Sequence, residues 1–165
     1  MGKFYYTSHL EDFVEEVYQQ INITEASHIS KELIAGRLGI WLHYWDGKSK
    51  YINREDGMIS ILIDERLDST AQWHVFGHEL CHVLRHSGNQ VLMPDSFKEL
   101  QETQANIFAY HFCVPTFMLR KMLLPDQCHY AALIISDKFN VSYQFAAERY
   151  EMYMRKIRSC LYGIC

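Results

Sequence analysis

His78-Glu79-Leu80-Cys81-His82 reads H-E-x-x-H, and its neighbours permit the helix that this pattern needs. Two histidines four apart on a helix project from one face, so their imidazoles can grip a single ion. The glutamate follows the first histidine by about 100° around the helix, where it reaches a water on that ion without being a ligand itself. The pattern points to a zinc-dependent peptidase site. Ser69 followed by Gln72 suggests a capping box, and no proline interrupts Thr70 to Arg85. Trp73, Phe76, Leu80, Val83 and Leu84 recur at helical spacing and form an apolar face, while His74, His78, His82 and His86 fall on the other with Glu79 beside them. Gly77 costs about 1 kcal/mol of helix propensity against alanine, which predicts a closely packed neighbour.

Zinc held by two histidines needs another protein ligand and an open position. Glu102 lies far enough beyond His82 for a turn and a second helix to fold back, and is the favoured third ligand. Asn106 stands on the same face as Glu102, suited to hydrogen-bond a ligating imidazole from behind. Glu99 is explained more simply as the partner of Ser96 in a capping box. His86 is the other rival, but on a straight helix it lies about 12 Å from His78, too far to share an ion. It is expected near the cleft mouth or behind a ligand. Cys81 points about 60° off the direction of His78 and is expected to be a small buried residue.

Working outward, Ser8 with Glu11 predicts a capped helix whose stripe is Leu10, Phe13, Val14, Val17 and Ile21, broken at Asn22 to Thr24. A second helix is expected from about Glu25 to Leu38, closed by Gly39. Ile40 to Trp45, Lys50 to Asn53 and Met58 to Ile63 have strand character, separated by Asp46-Gly47 and Glu55-Asp56-Gly57. After the motif helix come a helix from about Phe97 to Cys113, a short piece after Pro115, one from about Gln127 to Phe139 and a last from Ser142 to about Ile157. The order predicts an α+β fold: a small three-stranded sheet, an active-site helix and a glutamate helix, plus a helical C-terminal segment. We divide it at 1–125 and 126–165, the second part a helical extension packed on the first.

With 48% apolar and 14% aromatic residues over 165 positions, the chain can bury a real core. A formal charge of −4 argues against a general nucleic-acid binder. No signal peptide and no apolar run of membrane-spanning length is evident, so a cytoplasmic protein without a membrane partner is expected. Cys81, Cys113, Cys128, Cys160 and Cys165 share no C-x-x-C spacing and are expected as free thiols.

Glu102-Thr103-Gln104-Ala105-Asn106-Ile107-Phe108-Ala109, followed by Cys113-Val114-Pro115, resembles the E-x-x-A-N-x-F-A…P signature of the ImmA/IrrE family of bacterial and phage metallopeptidases. His78 to His86 resembles that family's H-E-L-x-H-x-L-x-H segment, and the likeness spans roughly residues 27 to 125. One departure is Gln104, at a position that is often acidic in the family. The resemblance implies a zincin-like, gluzincin-type domain with His78, His82 and Glu102 holding Zn2+ and Glu79 as catalytic base. It also implies an endopeptidase that cleaves a repressor-type transcription factor, as an anti-repressor of a phage or mobile element, with a helix-turn-helix repressor as the protein partner.

A rival reading makes the chain a non-catalytic zinc-containing module that binds a repressor or DNA through its C-terminal helices. Ala131 to Phe139, Val141-Ser142 and a helix carrying Gln144 and Arg149 read as a helix-turn-helix, with Arg155, Lys156 and Arg158 adding positive charge. Glu148, Glu151 and the aromatic stripe weigh against direct DNA binding. For a peptide substrate, the strand from Met58 to Ile63 is a candidate edge for backbone pairing, or an ordinary core strand.

Overall fold

The structure, a computed structural model, describes residues 5–86 and 93–161. Its elements in chain order are helix α1 (His9–Gln20), a 3₁₀ turn (Ala26–His28), α2 (Lys31–Arg37), strands β1 (Ile40–Trp45), β2 (Lys50–Asn53) and β3 (Ile59–Asp64), then α3 (Ser69–Arg85), α4 (Asp95–Cys113), α5 (Thr116–Leu119), α6 (Cys128–Phe139) and α7 (Tyr143–Leu161). This is a mixed α+β chain with a small three-stranded sheet and mostly helical content. It divides into two compact units, one from residues 29 to 113, the other joining residues up to 28 with those from 114 onward.

In the 29–113 unit the sheet order is β1-β3-β2, with β3 parallel to β1 and antiparallel to β2. β3 is therefore the centre. The expectation that its edge could receive a peptide is corrected: both of its edges are hydrogen-bonded, and the outer edges belong to β1 and β2. Ile61 and Ile63 point into the core at 0% exposure, as alternation along a half-buried strand requires. The helix expected over Glu25 to Leu38 is split, because the Ser30 side chain accepts from the Leu33 amide and starts α2 afresh. Gly39 follows α2 at φ +71, a left-handed conformation that suits glycine at a helix end.

α3 carries the motif. Its N-cap is Asp68 rather than Ser69, for the Asp68 carboxylate accepts from the amides of both Thr70 and Ala71 and puts negative charge at the helix N-terminus. α4 begins at Asp95, earlier than Ser96 suggested, because the Pro94 carbonyl accepts from the Phe97 and Lys98 amides. α3 and α4 pack closely. A Cβ added at Gly77 would stand 2.9 Å from the Cys113 sulfur and 3.5 Å from the Ala109 Cα, so the glycine lets the two backbones approach.

In the other unit, Ser8 and Glu11 form the reciprocal capping box of α1. The Glu11 carboxylate is buried, and accepts also from Tyr5, Thr116 and Lys156. Burial alone would raise its pKa, but the hydrogen bonds from Lys156, Thr116, Tyr5 and the Ser8 backbone together hold it down at about 2. α6 ends at Asn140 with φ 52 and ψ 48, and the Ser142 hydroxyl accepts from the Phe145 amide as α7 begins. Arg149, which a recognition helix would turn outward, is instead fully buried, donating to the Val114 carbonyl and the Thr116 hydroxyl. It is no part of a DNA-facing surface.

Cys81, Cys113 and Cys128 are free, whereas Cys160 is disulfide-bonded, against the expectation of free thiols throughout; Cys165 lies outside the described residues. Among the described residues no helix is long and apolar enough to cross a membrane.

Candidate metal centre

His78 and His82 stand one turn apart on α3 and face Glu102 from α4. The Nε2 atoms of the two imidazoles are 3.2 Å apart; Glu102 places Oε2 3.1 Å from His78 Nε2 and Oε1 3.2 Å from His82 Nε2. Among the described residues these three form a group able to hold a metal ion. Four tetrahedral ligands at about 2.0–2.1 Å from zinc stand about 3.3 Å from one another, so the three separations fit the edges of such a coordination sphere.

The charge states agree with this fit. Burial, ahead of repulsion from His78 and His86, takes His82 down to about 4 despite the pull of Glu102. At neutral pH His82 is therefore an uncharged ring with one lone pair, and its approach to Glu102 is not an ion pair.

Asn106 Oδ1 lies 2.9 Å from His78 Nδ1 and, as a carbonyl oxygen, accepts the ring N–H there. Tyr51 from β2 stacks on His82 at 5.5 Å between ring centres and 9° between planes. Glu79 lines a cavity of about 360 Å³ with Lys48, Leu67, Val75, His78 and Asn106. Its burial raises its pKa, opposed by His78 and by the Tyr51 backbone amide.

The remaining candidates fall outside the donor group. His86 reaches only the far nitrogen of His82, Nδ1 to Nδ1 at 3.0 Å. Cys81 is buried, and burial pushes its thiol up to about 12, leaving it protonated. Glu99 offers its backbone carbonyl to Thr103. His74 lines the cavity with Glu79. Two neighbours of the site escaped the sequence reading. Tyr51 owes its place to the register of β2 against β3, with no local signature. Gln104 was seen only as a departure from a family pattern, yet its side chain meets His86.

Residues 35–151 match the family model of the IrrE N-terminal-like domain, a peptidase family. The chain is 46% identical over 151 residues to the phage-like element PBSX protein XkdA of Bacillus subtilis (strain 168), an alignment covering 92% of this chain and 76% of that protein. It is 39% identical to the uncharacterized protein YqaB of the same organism, covering 96% of this chain and 92% of YqaB. Among solved structures, a Mycobacterium tuberculosis transcriptional regulator shares the fold with a TM-score of 0.59 at 17% identity, over 87% of this chain. The chain spans just over half of that regulator, 56% of its length. The chain belongs to the ImmA/IrrE-type family of peptidases.

Proposed function

We propose that this protein is a zinc-dependent endopeptidase, zincin-like and of the gluzincin type, that cleaves a helix-turn-helix transcriptional repressor as an anti-repressor of a phage or mobile element. The observation that carries the metal reading is the meeting of His78 Nε2, His82 Nε2 and the Glu102 carboxylate at separations of 3.1–3.2 Å. The family supplies the peptidase class. The mobile-element setting is supported by the relative named as a protein of a phage-like element.

In this reading His78, His82 and Glu102 are the ligands. They would hold a zinc ion, whose Lewis acidity would lower the pKa of a bound water from 15.7 toward about 7 and would polarise the scissile carbonyl. Glu79, on the cavity side, takes the proton of the attacking water and delivers it to the leaving amine, general acid–base work typically worth about 10²–10⁴-fold. Asn106 holds the His78 ring with its Nε2 lone pair toward Glu102. The substrate enters beside Glu79, Leu67 and Val75. An extended peptide pairs with the outer edge of β2, the strand whose Tyr51 covers His82.

The test replaces Glu79 with Gln and incubates each protein with helix-turn-helix repressors of phage-like elements as substrates. Zinc content is expected to persist while repressor fragments, read by mass spectrometry, fall by about 10²-fold or more. Undiminished cleavage would contradict the role given to Glu79.

A further inference from the structure

We propose that Gln104 is a positioning residue that sets the tautomer of His82 through His86, and so aims the His82 lone pair at the donor group. The inference rests on the metal-site reading above only for what that lone pair receives.

The hydrogen-bond chain leaves little freedom. Gln104 Oε1 lies 3.1 Å from His86 Nε2. A carbonyl oxygen only accepts, so His86 Nε2 carries the ring proton. A neutral imidazole has one N–H, which leaves His86 Nδ1 as an acceptor. That atom lies 3.0 Å from His82 Nδ1, which must therefore donate. Nε2 of His82 is then the bare nitrogen, and it is the atom 3.2 Å from both His78 Nε2 and Glu102 Oε1. Asn106 sets His78 directly, its Oδ1 fixing the proton on Nδ1. The two ligand rings are thus oriented by amide oxygens of the same helix, α4, one at first hand and one through an intervening imidazole.

The polarity decides the outcome. If the Gln104 amide turned its NH2 toward His86, every donor and acceptor in the chain would reverse. His82 would then carry its proton on Nε2, facing Glu102, where a cation has to displace it. Gln104 is exposed on α4, so changing it leaves the packing of the helix alone.

The experiment is long-range 1H–15N correlation NMR of the 15N-histidine-labelled, metal-free protein at neutral pH, joined to zinc affinity measured by chelator competition. The expected wild-type result is His82 protonated at Nδ1 and His86 at Nε2. Gln104→Leu is expected to give His82 a mixture of tautomers and to weaken zinc binding about 10–100-fold. Gln104→Glu, which keeps acceptor oxygens and has no N–H to turn inward, is expected to preserve the wild-type tautomers. Finding His82 protonated at Nε2 in the wild type would overturn the proposal, as would a Gln104→Leu protein with unchanged tautomers and unchanged affinity. A wild-type protein that takes up no zinc would instead contradict the metal site, while the tautomers still judge the relay.

Discussion

Glu11 shows how one buried side chain ties stability to pH. Its carboxyl is held at about 2, below the ordinary 4.5, so the folded state binds its proton less readily than the unfolded chain. The stability it confers is full above about pH 5 and is lost as pH falls through its folded pKa near 2. Glu11→Gln is expected to cost about 2–4 kcal/mol at pH 7, with the gap between the two proteins closing as the pH falls toward 2; denaturant unfolding across that range measures it. A constant gap would remove Glu11 as the titrating group. The same scale shows what a sequence reveals. His78 and His82 were legible because a single helical turn relates them, and Glu102 because it lies on the next helix with Asn106 one turn beyond. The Glu11 partners were not, for Thr116 and Lys156 lie 105 and 145 positions away and nothing local marks them as its donors.

Gly77 decides how α3 and α4 fit. Cys113 is fully buried and its thiol donates to the Trp73 carbonyl, so its sulfur has little room to yield to a Cβ 2.9 Å away. Gly77→Ala should gain about 1 kcal/mol of helix propensity yet lose about 1–3 to overpacking, for a net destabilisation of roughly 1 kcal/mol. Combining it with Cys113→Ala, which removes the clashing sulfur, should make the two changes non-additive in a double-mutant cycle. Simple additivity would show that the sulfur is not what Gly77 accommodates. Among the elements, β1 and β2 were readable from runs of strand-forming residues between turn signals. Their order was not, since the pleat of Ile59, Ile61 and Ile63 suits a central strand as well as an edge, and pairing is a long-range choice. The α3 start was off by a residue because Asp68 and Ser69 are both competent caps.

For the molecule as a whole, every candidate site residue lies in the 29–113 unit. Bound zinc should stabilise that unit, by about 2.7 kcal/mol when free zinc is 100 times the Kd. Chelation is therefore expected to speed amide hydrogen exchange in α3 and α4, and unchanged protection there would argue against a folded-state metal site. The most direct test of the centre is X-ray absorption at the zinc edge on the protein loaded with one equivalent of zinc. The expected spectrum contains only nitrogen and oxygen neighbours at about 2.0–2.2 Å, with multiple scattering from two imidazoles, and Glu102→Ala should lose or alter that shell. A sulfur neighbour at about 2.3 Å, or a spectrum indifferent to Glu102, would contradict coordination by His78, His82 and Glu102.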